Sequence, residues 1–285
     1  TSFLQGIDVY SGAVPRLVDI DNDLDLDLFI GNEYNPANNG VTTAEIVFYR
    51  NISTNQSPVY VKEDIIGLAT DIETHIGFNF ADLNNDGEVE LVIGDLNGTL
   101  TIYNGISSDP LVFEFLQSDF LNIDLSGMSQ PDFGDFDQDG DLDLTIGDLN
   151  GDIYYYQNTG TANQPIFAEG MLFWSSNSDY LRLSPTIIDL HDDGLIDFIW
   201  IGTEAQNIVV LKNTGQVSNG LPLFEVAKNN LFSSTFLGKK LKLDYGQYQE
   251  DSLDILVGNQ EGGVFHLQDT FLPGDLSFDH LLDEW

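Results

Sequence analysis

The chain has no cysteine among its 285 residues, which removes disulfide frameworks, thiolate metal sites and cysteine nucleophiles together. This is compatible with a secreted protein, because a domain of this size builds a core without covalent staples. Positive charge is almost as scarce, with 9 Lys+Arg against 47 Asp+Glu, a formal net charge of −38 and a sequence pI near 4.1. A field of that sign repels phosphate backbones and anionic lipid, so no nucleic acid or acidic membrane surface is expected as a partner. Long apolar runs are missing too. No stretch approaches the roughly 18 residues of a membrane span, and residues 1–20 lack a charged segment leading into an apolar one. No membrane insertion is therefore expected. The chain opens on Thr1 rather than Met, and is read as a processed protein or a segment of a longer one, a monomeric module in either case.

Catalytic signatures are also lacking. The four histidines, His75, His191, His266 and His280, stand in unrelated contexts, and no G-x-S-x-G, H-E-x-x-H or phosphate loop occurs. Two of the 47 acids could converge for glycosidic chemistry, but nothing singles out a pair, and the expectation is a protein that is not an enzyme. What the composition does supply is a core: 42% hydrophobic residues, with 19 Phe and 11 Tyr, enough to argue against disorder.

The apolar residues are arranged in a repeat. "DIDNDLDLDLFIG" from Asp19 recurs as "DLNNDGEVELVIG" from Asp82, "DFDQDGDLDLTIG" from Asp135, "DLHDDGLIDFIWIG" from Asp189 and a degraded "DYGQYQEDSLDILVG" from Asp244, at spacings of 63, 53, 54 and 55 residues. Each copy ends on a glycine: Gly31, Gly94, Gly147, Gly202 and Gly258. An aromatic or β-branched run follows, such as "GDIYYYQNTG", and then a segment beginning at or near proline: "SPVYVKED", "PLVFEFLQ", "QPIFAEG" or "LPLFEVAK". Short apolar runs punctuated by Gly, Pro and Asn are strand signals, and no segment holds a 3.6-residue period. Four short antiparallel strands repeated about every 55 residues predict an all-β protein, a five-bladed β-propeller of four-stranded blades. "FLQGIDVYSGAVP" from Phe3 matches "FLNIDLSGMSQP" from Phe120. On that match residues 1–13 are expected to be the outer strand of the last blade and to close the ring, with blades starting near 14, 77, 130, 184 and 239 in a single domain spanning 1–285. A truncated six- or seven-bladed ring is the alternative.

The acidic loops ask for a cation. Asp135, Asp137, Asp139, Asp141 and Asp143 fall at every second position, and would repel one another if bare. An EF-hand is excluded, because its twelfth position needs a bidentate Glu and here holds Ile146, and because Leu142, Leu144 and Ile146 alternate as a strand. The chemistry is of the same kind. Calcium takes six to eight hard oxygens in flexible geometry, and this loop offers Asp135, Asp137 and Asp139, the carbonyl of Asp141, and Asp143, with Gly140 folding the chain back. Magnesium, which demands strict octahedral geometry and retains its waters, suits the loop less.

Loop, glycine, "YYYQNTG" and "QPIF" resemble, in this order, the FG-GAP/VCBS repeat, a resemblance that runs over essentially the whole chain. It implies a calcium-binding β-propeller of the kind found in integrin α heads and secreted bacterial proteins, with the ion in the loop between the first two strands of a blade. Carried over, it implies Asp19, Asp21, Asp23, Asp27 and the carbonyl of Asp25 in the first copy, where Leu24 replaces the usual glycine. In the second it implies Asp82, Asn84, Asp86, the carbonyl of Glu88, and Glu90 in place of aspartate. The fourth offers Asp189, Asp193, Asp197 and the carbonyl of Leu195, with His191, a poor calcium ligand, at the third position. The fifth, with Gly246 at that position and two extra residues before Asp254, is expected to have lost its ion, giving three to four Ca2+ in all. Lys239, Lys240 and Lys242 just ahead of it are read as a solvated strand face, with an ammonium replacing cation charge as the other possibility.

The function expected is that of an extracellular or cell-surface module whose calcium ions are structural and which recognises a glycan or an extracellular protein. A purely structural spacer and a polysaccharide-active enzyme domain are the alternatives. Trp174 and Tyr34 are candidates for sugar stacking, with core packing or loop filling the commoner role for such residues. Asn51, Asn55 and Asn97 begin N-x-[ST] triplets.

Overall fold

A computed structural model of the chain describes residues 9–33, 43–53, 57–69, 76–177, 179–191, 193–231, 237–246 and 252–270. The strands form five antiparallel sheets. The first holds β1 (Val14–Val18), β2 (Asp27–Gly31), β3 (Ile46–Asn51) and β4 (Tyr60–Glu63) in sequence order. The second holds β5 (Gly77–Ala81), β6 (Glu90–Gly94), β7 (Leu100–Ser108) and β8 (Leu111–Gln117). The third is β9 (Gln130–Gly134), β10 (Asp143–Gly147), β11 (Asp152–Tyr156) and β12 (Met171–Ser175). The fourth is β13 (Ser184–Ile188), β14 (Phe198–Gly202), β15 (Ile208–Ser218) and β16 (Leu221–Lys228), and the fifth β17 (Lys242–Gly246), β18 (Ser252–Gly258) and β19 (Val264–Thr270). First strands of neighbouring sheets touch all the way round, β1 with β5, β5 with β9, β9 with β13, β13 with β17, and β17 back to β1. The protein is a five-bladed β-propeller, four strands to a blade and three described in the last.

Burial follows position along the blade. β2, β6, β10 and β14 are buried throughout, which explains why they read as unbroken apolar runs: a strand clamped between two flanking blades has no wet face. The outer β4 and β12 hold no buried residue, each being part exposed and part half-buried. Five apolar clusters lie at the five seams. At the last, Leu28 and Ile30 of the first blade meet Leu256 of the fifth.

The glycine ending each second strand belongs to the seam. A Cβ built on Gly147 would lie 2.3 Å from the carbonyl oxygen of Leu183, on Gly202 2.1 Å from that of Leu241, and on Gly258 2.2 Å from that of Ala13. The same approach therefore recurs at the junction of last and first blades. It is accompanied by repeated backbone pairs, Leu183 N to Asp148 O at 3.0 Å, Leu241 N to Thr203 O at 3.1 Å and Ala13 N to Asn259 O at 2.8 Å. Gly202→Val should wedge two blades apart against backbone that cannot rotate away, lowering stability by about 1–3 kcal/mol; a denaturant midpoint equal to wild type would contradict this packing role.

A belt of hydrogen bonds runs round the axis from the third residue of each innermost strand. Arg16 Nε donates to Phe78 O at 2.8 Å and Asn79 Nδ2 to Asp132 Oδ1 at 2.6 Å. Asp132 Oδ2 accepts from Ile187 N at 3.0 Å, Thr186 Oγ1 donates to Leu243 O at 3.2 Å, and Asp244 Oδ2 accepts from Leu17 N at 2.5 Å. Every seam is bridged, and the one between the last and first blades twice, since Arg16 Nη1 also donates to Leu243 O at 2.6 Å. Innermost strands have a free edge, and these side chains supply partners to its backbone groups.

Four sequence-based expectations change. "QPIFAEG", read as a strand, is none: Phe167 makes only an isolated bridge to Asn158, and β12 is the fourth strand of the third blade. The Phe120 stretch matched to the N-terminus is not an outer strand either, since Phe120–Asn122 forms a 3-10 turn in the connector between blades and its end enters the innermost strand β9. Residues 1–8, expected as part of an outer strand, lie outside the described residues. Val9, Gly12 and Ala13 hydrogen-bond to the turn after β18. Asp244, read as the start of a fifth loop, is the middle residue of β17, because its register with β18 makes it the counterpart of Asp132. Finally, the lysines are not one solvated face. Lys239 is exposed, Lys240 is ion-paired to Glu33 at 2.9 Å, and Lys242 is buried.

Candidate metal centres

Four loops between first and second strands share one backbone design. The first carboxylate accepts from the amides four and five residues on: Asp19 from Asp23 and Leu24, Asp82 from Asp86 and Gly87, Asp135 from Asp139 and Gly140, and Asp189 from Asp193 and Gly194, all at 2.8–3.2 Å. The fifth-position carboxylate accepts from the seventh amide, as Asp139 Oδ1 does from Asp141 N at 3.2 Å and Asp23 Oδ1 from Asp25 N at 3.0 Å. Such Asx turns fold the loop back on itself. The sixth residue sits at positive φ in every copy, at Gly87, Gly140 and Gly194 and also at Leu24, with φ 74°. The first loop thus adopts the shared shape at the conformational cost that a side chain brings there, and Leu24 is 93% exposed.

The ninth-position carboxylate anchors the loop to its blade. Asp143 accepts from Phe136 N at 3.0 Å, Asn158 N at 2.7 Å and Tyr155 Oη at 2.9 Å. Asp27 accepts from Asn51 N at 2.6 Å, and Glu90 from Leu83 N at 2.8 Å. Burial pushes Asp27 and Glu90 up to about 7 and Asp143 up to about 6, with neighbouring loop carboxylates adding to the effect. Asp141 is likewise raised to about 6 by burial and then by Asp139 and Asp137.

The donor set can be tested against a cation through the oxygens that remain without a protein partner. Asp21 Oδ1 and Asp25 Oδ1 in the first loop, Asn84 Oδ1 in the second, and Asp137 Oδ1 and Asp141 Oδ1 in the third are buried acceptors with none. All are oxygens, all lie at third or seventh positions, and all belong to the first three loops. Buried acceptors of this kind are costly unless something positive meets them. Carboxylate oxygens of Asp19, Asp21 and Asp23 lie within 4.8 Å of one another, as do those of Asp135, Asp137 and Asp143. These hard oxygen sets fit a divalent cation. In the seventh position the sequence offered the carbonyl, whereas in the first and third loops the carboxylates of Asp25 and Asp141 also turn in among their neighbours.

The fourth loop departs from this. His191 Nδ1 lies 2.8 Å from Asp197 Oδ2, so the ring takes up the carboxylate that would face an ion. Among the described residues none of its loop oxygens is a buried acceptor lacking a partner. In the fifth blade residues 247–251 lie outside the described residues. Asp254 is fully buried and its Oδ1 meets His266 Nε2 at 2.6 Å.

Two supporting residues escaped sequence reading. Arg50, at the end of β3, hydrogen-bonds Asp21 and Glu63, reaches Ser108 O on the next blade, and lies over the Phe48 ring. Gln157, its counterpart after β11, donates to Asp137 Oδ2 at 2.5 Å. Their shared place one residue before the motif asparagine is the signal that could have flagged them. That asparagine closes the next turn: Asn158 Oδ1 accepts from Gly160 N and Ile166 N, and Asn51 Oδ1 from Ser53 N and Val59 N. Asn51 is buried and so engaged, which leaves its triplet unavailable to a glycan, while Asn55 and Tyr34 lie outside the described residues. Trp174 is half-buried among the apolar residues between the third and fourth blades.

Five blades, four of which carry the recurrent acidic loop among the described residues, define a β-propeller of repeat type, with loops able to hold a metal ion. Residues 82–146, from the first residue of the second loop to the penultimate residue of β10, match the family model of the FG-GAP-like repeat. No curated protein matches the chain.

Proposed function

We propose that the protein is a calcium-stabilised propeller module of an extracellular or cell-surface protein, non-enzymatic, that recognises a glycan. The observation that supports calcium is the set of buried loop oxygens awaiting a positive partner in the first three loops. When bound, calcium supplies the charge that lets these carboxylates lie together. Asp19, Asp21 and Asp23, then Asp82, Asn84 and Asp86, then Asp135, Asp137 and Asp139 would hold it, with the ninth-position carboxylates tying each site to its second strand.

Glycan recognition is supported by a groove of about 660 Å3 between the second and third blades, where Tyr154, Tyr156 and Phe167 stand beside Asn122, Asp124 and Glu169. Aromatic faces stack on the C–H faces of sugars while carboxylates and amides bond their hydroxyls, the mix of apolar wall and few polar groups typical of ligand sites. With a net charge of −38, neutral glycans are favoured over sulfated or sialylated ones. Glycan-array binding of the calcium-loaded protein should select neutral sugars, and Tyr154→Ala should weaken it at least about tenfold, a loss of about 1.4 kcal/mol. Equal binding by the variant would move the site elsewhere, and an array without hits would leave the spacer role in its place.

A further inference from the structure

A second ring of side chains lies along the axis, one pleat repeat from the belt. It comprises the first residue of each innermost strand: Val14, Gly77, Gln130, Ser184 and Lys242, each paired with the glycine that ends its second strand. Side chains two residues apart share a face, so these point to the axis as Arg16, Asp132 and Asp244 do. Lys242 is 6% exposed and its Nζ donates to Gln130 Oε1 at 2.6 Å, crossing from the fifth blade to the third. That is its one hydrogen bond among the described residues, and the acceptor is a neutral amide.

The bond fixes the orientation of the amide. A charged Lys242 donates only, so its partner is Oε1, and Nε2 is left with N–H groups to offer another acceptor. Gln130 is 1% exposed, and Nε2 meets no protein acceptor. Ser184, on the blade between them, is fully buried, and its Oγ has no protein partner either. Gly77 provides the room, since a Cβ there would fall 2.5 Å from Gln130 Cδ. Three donor-bearing groups thus share one buried layer in which only the Lys242–Gln130 bond is made among them.

Three of the four charged groups that act on Lys242 share its sign. Arg16, Arg182 and Lys240 act on Lys242, and Glu33 opposes them. Glu33 is already gripped by Lys240 Nζ, 2.9 Å from both of its oxygens, and Glu204 lies 3.3 Å from Arg182 Nε. The two belt carboxylates are taken up by backbone amides and face Arg16. Four of the nine basic residues of a strongly acidic chain therefore meet at this end of the axis. Burial, reinforced by the neighbouring cations, drops the Lys242 ammonium to about 7.

We propose that this layer binds a halide-sized anion, chloride in a saline setting, held by Lys242 Nζ, Gln130 Nε2 and Ser184 Oγ. One negative charge would neutralise the buried ammonium, whose isolation is costly, and would satisfy donors that otherwise each forfeit a hydrogen bond. A monatomic anion suits a layer closed by buried side chains, and a single charge suits a single uncompensated ammonium. The bound ion would join the third, fourth and fifth blades on the side of the belt away from the acidic loops.

Crystals of the calcium-loaded protein grown in sodium bromide test this without a variant. Anomalous scattering should show bromide within hydrogen-bonding reach of Lys242 Nζ and Gln130 Nε2, and a water alone at that point would overturn the proposal. In solution, with calcium saturating, the thermal midpoint should be several degrees higher in sodium chloride than in sodium gluconate of equal ionic strength, and Lys242→Met should abolish the difference. Equal midpoints for the wild-type protein would also overturn it.

Discussion

Excess chelator is expected to lower the thermal midpoint by roughly 16–32 °C. A site held at a hundredfold excess of calcium over its dissociation constant stabilises the native state by about 2.7 kcal/mol, because the unfolded loop does not assemble the ligands. Three such sites together give about 8 kcal/mol, and a domain of this size moves by about 2–4 °C per kcal/mol. Removing the ions also restores repulsion among the loop carboxylates, so monovalent salt should recover part of the loss by screening. Calorimetric titration should count three ions, since His191 occupies Asp197 in the fourth loop. His191→Asp should raise the count to four, and Asp137→Ala should reduce it to two, because each site is built from residues of its own blade. An unchanged midpoint on chelation would overturn the metal assignment, and a wild-type count of four would overturn the reading of His191.

Arg16→Met should cost about 3–5 kcal/mol, the penalty for leaving buried charges without their partner. Arg16 is 2% exposed, donates to Phe78 O on one side and to Leu243 O at 2.6 Å on the other, and is the cation facing Asp132 and Asp244. Burial raises Asp132 to about 7 and Asp244 to about 6 even with Arg16 opposing it. The ordinary carboxylate value near 4 holds in the unfolded chain. Between about pH 4 and 7 the folded state therefore binds more protons, and the ionisation of these groups subtracts stability as pH rises. Without Arg16 their values climb further, so the gap between wild type and variant should widen from pH 5 to pH 8. Because the same calcium loops are present in both proteins, their contribution cancels in the comparison. Denaturant midpoints across that range check it, and a gap independent of pH would show that Arg16 contributes packing alone.

The repeat made the blades legible because strand, acidic loop, strand and glycine are all local in sequence. The loops were legible for the same reason: the hydrogen bonds made within them span two to seven residues, so alternation in sequence became convergence in space. Register misled where two different period-2 patterns overlap. Asp244 alternates with its neighbours as a loop aspartate would, and only its pairing with Leu256 shows it to be the fifth counterpart of Asp132. His191 could be read as a poor ligand from its residue type. That it engages Asp197 depended on a rotamer, which the sequence does not record.

By itself the sequence determined the class of fold, the number of repeats and the four acidic loops with the order of their carboxylates, since each follows from the period-2 pattern and from turn chemistry within a dozen residues. Only the tertiary structure decided how the ring closes and what lies on its axis. Arg16, Asn79, Asp132, Thr186 and Asp244 are separated by 53 to 63 residues, and each looks like an ordinary polar residue of an edge strand. They form one belt because five innermost strands turn the same face to a common axis, and the same geometry buries Lys242 in a chain otherwise dominated by acids.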